Sequence, residues 1–94
     1  MSDYRLSAAA KQDLIDIARY GDEQHGVAQS NRYRDQLKQR FSQLAEQPLL
    51  YAAVDHIRPG YRRSVCGSHS IYYRIIGDTV EIMRIIGRQD PDGL

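Results

Sequence analysis

Ninety-four residues fit one compact domain, spanning 1–94, and the core they can build is modest, so partner burial would matter to its stability. A hydrophobic fraction of 41% beside 27% charged residues excludes a wholly disordered chain. The net charge of +1 hides a segregation: residues 1–47 balance seven basic against seven acidic side chains, whereas residues 58–88 hold six arginines against Asp78 and Glu81, a local excess of four. Arginine suits planar recognition of carboxylate and phosphate, but an excess of that size is weak for an autonomous nucleic-acid binder. A solvated sheet rim is the plainer account of any one of these arginines.

Cys66 is the sole cysteine, so no internal disulfide forms, and a reducing cytoplasm fits. The amino-terminal residues show no apolar signal core, and the longest apolar run, Leu49 to Val54, is far short of the roughly 20 residues that span a bilayer. The expectation is a soluble cytoplasmic protein with no membrane contact.

In chain order, Tyr4-Arg5-Leu6 reads as a short strand. Ser7 is an N-cap candidate, because its hydroxyl can accept from a free N–H of the first helical turn. Ala8 to about Gln24 reads as a helix with Ala10, Leu14, Ile17 and Ala18 in one apolar stripe; Asp13, Asp16 and Arg19 fall off it. Gly26 stops this helix. A second helix runs from about Ala28 to Glu46, burying Tyr33, Leu37, Phe41, Leu44 and Ala45 and turning Arg32, Arg34, Lys38 and Arg40 outward; Pro48 ends it. The short join makes the two an antiparallel hairpin. Residues 48–60 read as irregular.

The period then changes. Tyr61–Cys66, His69–Ile76 and Thr79–Ile86 are rich in β-branched and aromatic residues and read as strands, joined by Gly67-Ser68 and Gly77-Asp78 in tight turns. The fold class is α+β in the order β-α-α-β-β-β, a helical hairpin on one face of a small, mainly antiparallel sheet. A two-residue turn at Gly77-Asp78 pairs Ile75 with Val80, Arg74 with Glu81, Tyr73 with Ile82 and Tyr72 with Met83. Ile71, Tyr73, Ile75, Val80, Ile82 and Ile86 should then face the helices. Tyr72, Arg74, Ile76, Glu81, Met83 and Ile85, with Tyr61, Arg63 and Val65, should line the other face. Two helices cannot cover both sides, so this second face is left partly open, and an exposed patch of mixed apolar and arginine side chains marks an interaction surface. A second protein, a homodimer partner or the chain's own C-terminal segment could cover it. Val65, Tyr72, Met83 and Ile85 are the residues expected to contact a partner there.

The metal and nucleophile readings are weak. His25, His56 and His69 are scattered, and no HxxxH, CxxC or carboxylate cluster marks a metal site; no cofactor is expected. Cys66 reads as a small half-buried residue, His69 as a turn-flanking hydrogen-bonder and the sheet tyrosines as packing. Ser64, Ser68 and Ser70 stand in no nucleophile-elbow context.

Several segments, taken together and in order, resemble the RelE/ParE superfamily of type II toxins, and its ParE branch more than its RelE branch. They are Tyr4-x-Leu6-Ser7, Asp13-Leu14-x-x-Ile17, Phe41-x-x-Leu44-Ala45-x-x-Pro48, Ile57-Arg58-x-Gly60-Tyr61-Arg62-Arg63, Gly67-Ser68-His69-x-Ile71-Tyr72-Tyr73-Arg74 and Val80-Glu81-Ile82-x-Arg84-Ile85-Ile86-Gly87-Arg88-Gln89-Asp90-Pro91. The resemblance implies a toxin neutralised by a ParD-like antitoxin and acting on DNA gyrase. It makes the antitoxin the expected occupant of the open face, with the outer side of the helical hairpin as a further possible contact. Charge density picks Arg62, Arg63, Arg84, Arg88 and the Gln89, Asp90 segment for contact with the target. The rival implied by the same superfamily is a ribosome-dependent mRNA nuclease, whose relatives usually carry a Tyr or His after the last strand; Arg88 to Leu94 holds neither. A non-toxic interaction module of the same fold is the third reading.

Overall fold

A computed structural model describes residues 3–88 and residue 94. The element order is β1 (Asp3–Leu6), α1 (Ala8–His25), α2 (Val27–Glu46), β2 (Arg62–Cys66), β3 (His69–Ile76) and β4 (Thr79–Gly87). The sheet order is β1-β4-β3-β2, with β1 parallel to β4 and the two hairpin pairings antiparallel. The α+β class, the element order and the one-sided helical layer are therefore as the sequence implies.

Each boundary has a local cause. The Ser7 hydroxyl accepts from the Ala10 N–H at 3.0 Å and donates to the Met83 carbonyl at 2.8 Å, so one side chain both caps α1 and ties it to the sheet. Gly26 joins the helices at φ 85°, a backbone region that costs glycine little. Across the hairpin the helices come close at Gly21, where an added Cβ would stand 2.6 Å from the Ser30 hydroxyl. Ala10, Leu37, Phe41 and Leu44 are fully buried against Cys66, Ile71, Tyr73, Val80, Ile82 and Ile85. Each large apolar side chain buried this way contributes roughly 1.5–3 kcal/mol.

The hairpin registers follow the expectation from Ile76↔Thr79 through Tyr73↔Ile82 and then depart from it. A bulge between Tyr72 and Tyr73 pairs Tyr72 with Arg84 in place of Met83, Ile71 with Ile85 and Ser70 with Ile86. One extra residue on β4 reverses the alternation beyond it. Ile85 therefore joins the core beneath the helices at 2% exposure, and Ile86 goes to the other face.

Residues 48–60, read as irregular, with Tyr61, read as the first residue of a strand that begins at Arg62, build the second departure. Val54 donates to the Tyr61 carbonyl at 2.8 Å, Arg63 donates to the Ala52 carbonyl at 3.1 Å, and Ala53 bridges Arg62. The segment thus lies along the outer edge of β2, shielding part of a strand edge that would otherwise template foreign pairing. It also carries Val54, Ile57 and Tyr61 onto the second face, where they pack with Tyr72, Ile86 and Leu94 as a small second core.

Candidate partner-binding face

The second sheet face is half covered. Tyr72, expected to be open, is 1% exposed beneath the small second core, and Ile85 is not on this face at all. The exposure that singled out these two residues for a partner is therefore absent. Val65 does stand open at 43%, and Met83 is half-buried. The same alternation that places Val65 and Arg63 outward on β2 places Arg74 and Ile76 outward on β3, and Ile76 is 40% exposed. Val65 stands opposite Ser70, so the strip from there to Ile76 runs about six residues, roughly 20 Å, open at its two ends and closed over Ser70 and Tyr72 between them. Leu94, the one described residue of the C-terminal segment beyond Arg88, lies on the covered half, where the Arg58 guanidinium donates to its carbonyl at 2.8 Å.

The charges on this strip are organised around Glu81. It accepts from Arg74 Nη2 at 2.8 Å and lies 3.4 Å from Arg5 Nε, so two guanidinium groups converge on one carboxylate. The pairing of Arg74 with Glu81 follows from the hairpin register; the contribution of Arg5 comes from the parallel docking of β1, which sets Arg5 opposite Glu81.

The arginines picked for a target separate into different jobs. Arg63 and Arg84 lie on one rung with Tyr72 between them. Arg62 donates to the Tyr51 carbonyl at 2.7 Å, anchoring the covering segment to the sheet. Arg84 donates from Nε and Nη2 to the Asp13 carboxylate, at 2.8 and 3.2 Å, and Asp13 also accepts from the Ile85 N–H at 2.9 Å. Asp13 is therefore turned toward the sheet, correcting its expected place off the packed stripe. It caps β4 beyond the end of β1, where no strand continues the ladder, and it holds the Arg84 guanidinium more firmly protonated. Arg88 is exposed, with its backbone N–H donating to the Ser68 carbonyl at 3.1 Å. Gln89 and Asp90 lie outside the described residues.

Sequence reasoning missed two arginines. Arg40, expected to face solvent, reaches the β2 edge and donates to the Ser64 hydroxyl and the Val65 carbonyl, both at 2.8 Å, while its guanidinium lies over the Tyr51 ring at 5.6 Å. Arg58 sits over the Tyr61 ring at 5.7 Å. Helical spacing reports which side of a helix faces inward, not how far a long side chain reaches around it.

The titratable groups of the sheet are engaged inside the fold. Tyr73 donates to the Pro48 carbonyl at 2.7 Å, and burial pushes its phenol up to about 12. The Tyr33 hydroxyl lies 2.6 Å from His69 Nδ1, 3.2 Å from the Cys66 carbonyl and 3.0 Å from the Ser68 N–H, which donates to it. The shorter approach favours the phenol proton on His69 Nδ1, leaving the ring's own proton on Nε2. Burial lowers the His69 imidazole and raises the Tyr33 phenol and Cys66 thiol. His69 thus has the turn-flanking hydrogen bond expected of it. Among the described residues no group of three metal-ligand side chains converges, and no helix is long and apolar enough to cross a membrane.

This architecture has solved counterparts. A chain of the chromosomal ParDE toxin–antitoxin system from P. aeruginosa superposes with a TM-score of 0.80 at 20% identity, covering 93% of this chain and 95% of that one. A chain of the toxin–antitoxin complex RelBE2 from Mycobacterium tuberculosis gives 0.62 at 22% identity, covering 93% and 98%. At such identities the likeness is one of fold. The sequence relatives are nearer: Toxin ParE1 of Caulobacter vibrioides is 41% identical over 86 residues, 92% of this chain and 88% of that protein. Toxin ParE1 of M. tuberculosis is 37% identical over 93 residues, 97% and 95% of the two chains. The family model described as the ParE toxin of the type II toxin–antitoxin system parDE matches residues 4–91, and the chain belongs to that family.

Proposed function

We propose that this ParE-family toxin is held inactive in the cytoplasm by a ParD-like antitoxin, and that its target when free is DNA gyrase, which it inhibits by binding, blocking replication. The observation that carries the antitoxin reading is the pair of open ends of this strip on the second face. Val65 and Ile76 stand exposed there on either side of the covered Tyr72, Val65 with the half-buried Arg63 beside it and Ile76 with the exposed Arg74, on a chain whose helices cover one side of its sheet. A polar tail that orders on binding, with apolar anchors and carboxylates at matching spacing, suits that strip. Arg62, Arg63 and Arg88, with the Gln89–Asp90 segment, are assigned to the target; Arg84 is assigned to the scaffold through Asp13.

Action by binding is supported by the engagement of His69, Tyr33 and Tyr73. RNA cleavage needs a proton donor and acceptor poised beside the arginines. Here the histidine is tied to Tyr33, and the Tyr73 phenol is bound to a carbonyl. The test is expression without antitoxin. Filamentous cells and gyrase-linked DNA breaks are the expected result; rapid arrest of translation with cut mRNA and intact DNA would sink the gyrase reading and favour the nuclease.

A further inference from the structure

On the helical side of the molecule, away from the strip assigned to the antitoxin, a cleft of about 530 Å³ opens between α1, α2 and the β2–β3 turn. Four rings line it: Tyr20 and His25 from α1, Tyr33 from α2 and His69 from β3. They meet in pairs, Tyr20 against His25 edge-on with centroids 6.3 Å apart, and Tyr33 tilted against His69 at 5.6 Å. Ile17 adds an apolar wall, and Asp16 is the single carboxylate of the lining, which contains neither lysine nor arginine. The cleft is also braced. Gly21 lets the helices close on Ser30 beside it, and the Tyr33 hydroxyl is pinned by the Ser68 N–H and His69, so that ring cannot swing into the opening without breaking those bonds.

We propose that this cleft is a receptor site for an arginine side chain presented by a protein partner. Ring faces attract a cation through their quadrupoles, and guanidinium, planar and weakly hydrated, stacks on them better than ammonium does. An apolar wall suits the methylene stem of such a side chain. Asp16 supplies the counter-charge: its Oδ1 accepts from Gln12 Nε2 at 3.0 Å, which leaves Oδ2 for a donor from outside. On α1 the charges not tied to the sheet are Asp16, Asp22 and Glu23 against Lys11 and Arg19, Asp13 being bound to Arg84. The lining, with one carboxylate and no lysine or arginine, contrasts with the arginine-rich sheet, and complementary charge would hold a cation there. Burial keeps His69 below its ordinary value of 6.5, so at neutral pH this ring adds no opposing charge.

The test uses the full chain, isotope-labelled, followed by NMR while N-acetylarginine N-methylamide is added. Saturable shifts of the His25, His69, Tyr20 and Gly21 signals at concentrations on the order of 1 mM are expected. The citrulline analogue, equal in shape and uncharged, should bind at least about fivefold more weakly. Asp16→Asn should weaken the arginine probe by a similar factor, leave the citrulline probe unchanged and keep the unfolding midpoint. Equal binding of the two probes, or of the norleucine analogue, would make the cleft a plain apolar pocket and overturn the proposal. So would shifts confined to other surfaces, the absence of saturable shifts, or shifts that follow protein concentration without probe, which would mark a second copy as the occupant.

Discussion

Asp13 shows how much one side chain can carry. Its carboxylate accepts from Arg84 twice and from the Ile85 N–H, at the point where β4 outruns β1. Asp13→Ala would leave a strand N–H without its acceptor and remove the Asp13 carboxylate from the Arg84 guanidinium. Hydrogen bonds to charged groups are worth about 1.5–3 kcal/mol, so a loss of that order is expected in urea denaturation, with Asp13→Asn milder because its amide oxygen can still accept. His69 argues the pH dependence. Burial lowers its imidazole against a small opposing pull from Asp13, and the other titratable groups packed against it, Tyr33 and Cys66, are neutral. The unfolded chain therefore takes up a proton first as the pH falls. Stability contributed by the neutral ring is complete above about 6.5 and declines below it, until the folded-state imidazole also titrates. The denaturation midpoint should drop between pH 7.5 and 5, and His69→Gln should flatten that slope. An equal slope in the variant would assign the acid sensitivity elsewhere.

At the scale of elements, the helices and hairpins were legible because their signals are local: a serine before an apolar stripe, a proline after one, a glycine pair between β-branched runs. The bulge was not. Counting two by two along β4 puts Ile85 outward and Ile86 inward, and Met83-Arg84-Ile85-Ile86 gives no side-chain cue that one residue is extra. The Asp13 carboxylate on the Ile85 N–H is a tertiary contact 72 residues away in sequence, invisible to any window. Nor does hydropathy say that an irregular stretch such as 48–60 will fold back over a sheet; Val54 and Ile57 look like loop residues until Tyr72 and Ile86 are seen beneath them. The reversal is measurable. Ile85→Ala should cost about 2–5 kcal/mol as a core truncation, and Met83→Ala clearly less. Equal losses would mean that the bulge is absent. Gly67 gives a sharper case, since its φ of +59° and a Cβ 2.5 Å from the Tyr33 ring make Gly67→Ala destabilising on both backbone and steric grounds.

Considered whole, the molecule sets one finished core against one unfinished face. The helical layer covers the central sheet on its own side except at Ile75, 37% exposed near the β3–β4 turn, while the opposite side is closed over Ser70, Tyr72 and Ile86. What stays open is an apolar residue at each end with an arginine beside it, Glu81 holding Arg5 and Arg74 in place. Such a strip separates binding from folding experimentally, because its side chains do not support the interior. Val65→Asp and Ile76→Asp should each keep the unfolding midpoint of the parent. A carboxylate set against an acidic, apolar-anchored tail meets like charge and loses its apolar contact, so antitoxin affinity should fall by at least about tenfold per site, equivalent to roughly 1.4 kcal/mol. Arg74→Ala should lower it less and should also reduce its dependence on salt, since an exposed charge acts mainly on encounter. Isothermal titration with the proposed ParD-like antitoxin measures all three. Unchanged affinity in both aspartate variants, with folding intact, would remove the antitoxin from this face and leave the outer side of the helical hairpin as its seat.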